Sequence, residues 1–284
     1  MNTTVARLRV PISPNRAVAL LTALASALVV AVFVAPGALA KAPGGQTFDE
    51  AWLTAALRGA FVEYWNSGGR AFSPSMGTLV DYWFRFHVAK AAIAAILLAV
   101  LLALGLHVWR AFLRATDSSY GRQVALAASG VVVTACGLIA SAMVMANLQG
   151  AVAPFSSLLS MLPFGETNSD LATALGQVRE QLHASPTDRI SPAAGAMISD
   201  FSRYHLAMAV IGAIVAVAFL ATSVWLWRQF ARMPLLEKRT RRVLASFGVF
   251  SALLALAAVV LVVANAGTAA DSQPALAAFF DGGW

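Results

Sequence analysis

Eight polar residues stand at the ends of apolar runs, and their types set out what chemistry this chain can offer. Asp81, Arg85 and His87 lie in Asp81-Tyr-Trp-Phe-Arg-Phe-His87-Val, and Asp200, Arg203 and His205 lie in Asp200-Phe-Ser-Arg-Tyr-His205-Leu. Asn147 and Asn265 each follow an alanine at the far end of another apolar stretch. An Asp and an Arg three or four positions apart on a helix share a face and can pair. An Arg and a His two positions apart point about 200° from each other, so one of them must face a different neighbour. If the histidines turned inward, two imidazoles facing each other would suit a bis-His haem, a transition metal or a proton relay. Arg, His and Trp are also the side chains that anchor a span at the membrane interface. The eight are read as a candidate ligand-binding layer. His87 and His205 are its only metal candidates, and no residue is assigned a catalytic role.

The elements that must position these residues are membrane spans. The composition is 59% hydrophobic and 12% charged, with mean hydropathy +0.73, whereas soluble domains carry about 25% charged residues. Five apolar runs, 17–34, 88–108, 124–146, 206–226 and 243–264, reach the roughly 18 residues that a span needs. Backbone groups in hydrocarbon must be satisfied internally, so these runs are expected to be helical. The fold class is an all-α integral membrane protein with five transmembrane helices.

The chain also repeats itself at an offset of 118 residues. Arg85 and His87 return as Arg203 and His205, Trp109-Arg110 as Trp227-Arg228, Gly130 as Gly248, and Asn147 as Asn265. From Arg85 to Asn147, 22 of 63 positions are identical, and Arg, His, Trp and Asn in one register are not a product of Ala/Leu/Val bias. A period containing two spans implies parallel copies within a single membrane domain, 1–284. Repeat 1 covers about 17–123 and repeat 2 about 124–242, and a fifth span at 243–265 ends in a short outer tail.

Charge sets the expected topology. Arg7, Arg9 and Arg16, then Arg110, Arg114 and Arg122, then Arg228, Arg232, Lys238, Arg239, Arg241 and Arg242 make 12 basic residues, against only Asp117 and Glu237. These segments alternate along the chain, and short basic loops mark the cytoplasmic side. The N-terminus is expected inside and the C-terminus outside, in the plasma membrane. The net charge of +7 is therefore a topology signal and does not point to nucleic acid. Lys238, Arg239, Arg241 and Arg242 also suit anionic lipid headgroups. The first run ends in Ala38-Leu39-Ala40, which also fits a signal-peptide cleavage site. Its match of Val34-Ala35-Pro36 to Val152-Ala153-Pro154 at the repeat offset favours a retained span.

Both outer loops carry helical signals. Thr47-x-x-Glu50 is a capping-box pattern ahead of Leu53, Leu57, Phe61 and Tyr64, and Ser169-Asp170 precedes Leu171, Leu175, Val178 and Leu182. Ser73-Pro74 and Ser191-Pro192 read as helix starts. Cys136 lies mid-run and is expected to be a buried packing residue.

The runs Met145-Ala-Asn-Leu-Gln-Gly-Ala-Val-Ala-Pro154, Arg203-Tyr-His205 and Ala278-Phe-Phe-Asp-Gly-Gly-Trp284 resemble uncharacterised multi-span membrane proteins of actinobacteria. The resemblance implies a multi-span membrane fold and no particular activity. No Gly-rich phosphate loop, paired-His zinc helix, cysteine cluster or nucleophile elbow occurs in the sequence. The expected function is binding or translocation of a small solute or ion, or service as a membrane subunit. A homo-oligomer or a partner subunit fits the small span count. No cofactor is expected; a haem- or metal-dependent redox enzyme using His87 and His205 is the alternative.

Overall fold

The computed structural model describes residues 14–41, 50–115, 119–165, 169–184 and 190–283. Among them every regular element is an α-helix: α1 (Pro14–Ala40), α2 (Glu50–Ser67), α3 (Pro74–Arg114), α4 (Tyr120–Val152), α5 (Pro154–Leu159), α6 (Asp170–His183), α7 (Pro192–Arg232), α8 (Lys238–Ala270) and α9 (Ser272–Phe280). Five of these, α1, α3, α4, α7 and α8, are long and apolar enough to cross a membrane. The protein is an all-helical, multi-pass membrane protein. The bounds of α7 and α8 are those of α3 and α4 displaced by 118 residues at all four ends. Thr47, and with it half of the expected capping box, lies outside the described residues, as do Arg7 and Arg9.

The helix starts follow from local chemistry. Ser73 and Ser191 stand ahead of Pro74 and Pro192, and their hydroxyls accept from the amides of Met76 and Ala194 at 3.4 and 3.2 Å. Ser169 does the same for Ala172 at the start of α6. Proline at the first helical position lacks the N–H that would otherwise be unpaired there.

The chain gathers into two compact units, Met1–Val32 with Ile93–Ser141 and Phe33–Ala92 with Ala142–Trp284. In the first, Ala25 of α1 packs with Leu97, Val100 and Leu101 of α3 and Ala140 of α4. At its far end the Trp109 ring lies against Gly130, where a Cβ would come within 2.7 Å of the indole. The indole Nε1 donates to Thr134 at 3.2 Å. Trp109 thus packs on the next helix as well as standing at a span end. Cys136 differs from expectation: it is exposed on α4, because that face of the helix meets no other helix among the described residues of this unit.

The second unit contains the α7–α8 pair and a helical cap. Leu53, Leu57, Phe61 and Tyr64 of α2 and Leu171, Leu175, Val178 and Leu182 of α6 point into one core, joined by Met76 and Tyr82 of α3, Phe155 and Leu158 of α5, Met197 of α7, and Leu276 and Phe280 of α9. Trp65 Nε1 donates to Gln177 at 2.8 Å, linking α2 to α6. The tail is a full member of the cap: Arg179 Nε donates to the Phe280 carbonyl at 2.8 Å, and Gln273 Nε2 to that of Leu182 at 3.1 Å. Below the cap, Trp227 covers Gly248 as Trp109 covers Gly130.

Candidate functional site

Polar side chains collect where α3 and α7 leave the cap. Asn147 is only 6% exposed, and its Nδ2 donates back along α4 to the Met143 carbonyl at 2.7 Å. That bond uses one of the amide's two donors and turns Oδ1 toward His87 Nδ1 at 3.0 Å. An amide oxygen only accepts, so the His87 proton sits on Nδ1 and Nε2 carries a lone pair. Nε2 lies 3.2 Å from Ser157 Oγ, which donates to it and accepts from Trp83 Nε1 at 3.1 Å. Each polar atom along this line has a partner, as a half-buried network requires. The imidazole lies so close to α4 that a Cβ on Gly150 would be 2.6 Å from its Cε1 and Nε2.

The α7–α8 pair keeps only the first link. His205 Nδ1 meets Asn265 Oδ1 at 2.8 Å, and Asn265 Nδ2 donates to Leu261 O at 2.9 Å. At the positions of Trp83, Gly150 and Ser157 it has Phe201, Thr268 and Ala275. Each histidine is thus bonded within its own seam, His87–Asn147 on α3–α4 and His205–Asn265 on α7–α8. The His87 nitrogen that a haem iron would need is held by Ser157. Among the described residues no three His, Cys, Asp or Glu side chains group to hold a metal ion.

Asn147, His87 and Ser157 stand in the order of orienter, base and nucleophile that acyl transfer uses. Pro154 has no amide proton, the Ser156 amide bonds to Asp200, and the Ser157 amide bonds to Ala153 O. The first turn of α5 therefore offers these amides no freedom to stabilise an oxyanion. The arrangement is a clasp between helices.

No family model, curated protein or solved structure matches this chain. The geometry of the site is what bears on its role.

The arginines separate from the histidines, as their spacing requires. Arg85 sends Nε to the Ala40 carbonyl at the end of α1, 3.1 Å away, rather than to Asp81, which is exposed. A cation at a helix C-terminus meets the negative end of the helix dipole. Asp200 behaves differently from Asp81, and the two are not repeat equivalents: the 118-residue counterpart of Asp81 is Ser199. Asp200 is 8% exposed, and its Oδ2 accepts from both the amide and the hydroxyl of Ser156, each at 2.9 Å. A buried carboxylate accepting charge-assisted bonds at a helix start is well compensated. Arg203 lies 3.7 Å from its other oxygen, on the next turn of α7.

Above Asp200 opens a cleft of about 230 Å³, lined by Arg70, Phe72, Phe155, Ser199, Asp200 and Arg203, with Val80, Pro154 and Ala196 completing its walls. Tyr64, Phe72 and Phe155 form one aromatic cluster, with ring centroids 4.9–5.4 Å apart. Gly68, with φ +62°, makes the left-handed turn that carries the chain from α2 round to Arg70. Tyr64 donates to the Ala193 carbonyl at 3.2 Å. Burial pushes its phenol up to about 12, with Arg70 pulling the other way and Asp200 adding to the rise.

Of the eight residues singled out by sequence, Asp200 and Arg203 line this cleft, while His87, Asn147, His205 and Asn265 clasp helices. Sequence reasoning missed Arg70, Phe72 and Phe155, which come from a turn and from the short α5. It also missed Gln149, which is buried and donates to Tyr204 O at 3.2 Å. Among the four basic residues expected at lipid headgroups, Arg241 is engaged internally. It donates to the carbonyls of Phe230 and Met233 at the end of α7, 3.1 and 2.8 Å away. Lys238 and Arg242 are exposed.

Proposed function

We propose that this is a plasma-membrane protein with a cytoplasmic N-terminus and an outward-facing cap, and that it binds a small solute in the cleft beneath that cap. The observation that carries the reading is the cleft itself: two arginines and a compensated buried carboxylate set against aromatic walls. Pockets that bind small molecules combine apolar walls with a few convergent polar groups in this way. Binding is favoured over passage through the spans. Apart from Lys90 and the terminal His107, the apolar runs carry no ionisable side chain other than Cys136, whereas ion pathways are built from such residues. Lys90 itself leans on the Phe86 ring, 5.4 Å from its centroid. Acting as the binding subunit of a larger membrane assembly is the same reading with another helix in place of lipid.

Ligand protection tests it. In the full chain carrying Cys136→Ala, Ser199→Cys places a thiol on the cleft wall. A panel of small acids, amines and neutral compounds is screened for slower modification by a polar thiol reagent. At least one member is expected to protect the thiol; protection by none overturns the reading.

A further inference from the structure

The charges around the cleft narrow what it takes. Arg70 and Arg203 bring two positive charges and Asp200 one negative charge. The negative charge is already engaged, since Oδ2 carries both Ser156 bonds at the start of α5. Arg203 stands 3.7 Å from Oδ1, beyond hydrogen-bond reach, with 58% of its side chain exposed. Arg70 forms no ion pair or hydrogen bond among the described residues. A cation entering here would meet two guanidiniums and a carboxylate whose best acceptor is occupied. An anion would find planar N–H forks that match carboxylate and phosphate oxygens.

Size and walls add a second constraint. About 230 Å³ is roughly eight water volumes at ~30 Å³ each, enough to seat a headgroup or a small ring. Phe72 and Phe155 are in ring contact at 4.9 Å, and Phe72 is 39% exposed despite its size. An apolar arm lying along it would remove that surface from water. The height of the site matters as well. Arg203 precedes the apolar run beginning at Leu206 by three residues, about 4.5 Å of helix rise, which is the depth of lipid headgroups.

On the reading that this cleft binds a small solute, we propose that its ligand is a monoanion with an apolar arm. The carboxylate or phosphate lies between Arg70 and Arg203, and the arm lies along Phe72 and Phe155. Two sources carry that chemistry, a soluble amphiphilic acid and the headgroup region of an anionic lipid.

The test varies charge at constant shape. Benzoate, benzamide and benzylamine share one ring, and each is offered to the purified full-length protein with Ser199→Cys and Cys136→Ala. Thiol protection and thermal midpoint are read together. Benzoate is expected to protect and to raise the midpoint, with the other two inactive. Arg70→Gln is expected to weaken benzoate by about tenfold or more, the scale of a lost hydrogen bond to a charged group. Arg70 forms no hydrogen bond or ion pair among the described residues and acts on Tyr64 only through its charge, so the variant is expected to keep its fold, and an unchanged midpoint without ligand verifies that. Nanodiscs of phosphatidylglycerol and of phosphatidylcholine form the second arm. Protection by the anionic lipid alone, abolished by Arg70→Gln, supports the proposal and names lipid as the source. Protection by benzamide or benzylamine equal to that by benzoate overturns the proposal while leaving solute binding intact. Protection by neither benzoate nor anionic lipid overturns it too, and binding of any other panel member decides the broader reading separately.

Discussion

An asparagine at the end of a span has to find partners, and Asn147 and Asn265 find them to different extents. Asn147 is buried, and it holds an imidazole whose other nitrogen is also engaged. Asn265 is half-exposed and holds His205 through one bond. Replacing Asn147 with Leu leaves the His87 Nδ1–H without an acceptor, which costs about 1–3 kcal/mol in a buried setting. The same change at Asn265 should cost less, because water or headgroups reach His205. A thermal unfolding midpoint lowered more by Asn147→Leu than by Asn265→Leu is the expected outcome. Equal shifts would refute the ranking. Gly150 gives a second check: an added Cβ would meet the His87 ring at 2.6 Å, so Gly150→Ala should destabilise by about 1–3 kcal/mol, as overpacking does. Thr268→Ala at the equivalent position should be near neutral, and a silent Gly150→Ala would mean the clasp is loose. At this scale the sequence located the Asn and His positions through their recurrence. It did not reveal that they pair with each other, because the partners are 60 residues apart and only helix packing brings them together.

At the scale of elements, hydrophobic runs and Ser-Pro starts identified all five spans, and helical spacing identified α2 and α6. The short helices escaped. α5 has six residues and α9 nine, too few for a periodic signal to stand out from apolar background, and both are held by tertiary contacts rather than by propensity. That is also why the cleft was half legible. Asp200 and Arg203 lie on a long helix, whereas Phe72 and Phe155 reach it from a turn and from α5. The cap helices are joined to α7 by the buried Tyr64 hydroxyl on the Ala193 carbonyl, which makes cap stability depend on alkaline pH. Tyr64 is raised to about 12 in the fold, whereas the unfolded chain loses that proton near pH 10. Between these values the unfolded state releases its proton and the folded state keeps it. The stability contribution is therefore complete below pH 10 and declines as pH rises toward 12. Midpoints measured from pH 9 upward should fall more steeply for the unaltered protein than for Tyr64→Phe, which lacks the titrating group. Parallel slopes would remove Tyr64 as the cause.

For the whole molecule the spacing of polar features matches a bilayer. Trp227 follows His205 by 22 positions, as Trp109 follows His87, which is about 33 Å of helix at 1.5 Å per residue. The hydrocarbon core is about 30 Å thick. One clasp, His on Asn, therefore lies near one interface, and the other, Trp over Gly, near the opposite one. Between them the helices expose apolar side chains such as Ile214 and Val217, each 66% exposed, as lipid contact demands. On the proposed topology the end with Trp over Gly faces the cytoplasm, and the charge beside it is what supports that reading. The turn between α7 and α8 carries Leu235 and Leu236, both exposed, beside Arg232, Lys238 and Arg242. Basic short loops are retained in the cytoplasm, and such a loop also suits an anionic inner leaflet. Single cysteines in a Cys136→Ala background can read the orientation on intact cells. Ser67→Cys, exposed at the end of α2, should react with a membrane-impermeant thiol reagent from outside, and Leu236→Cys should react only after the membrane is opened. The reverse pattern would place the cap in the cytoplasm, and with it the cleft, so that solute binding from outside would be lost together with the topology.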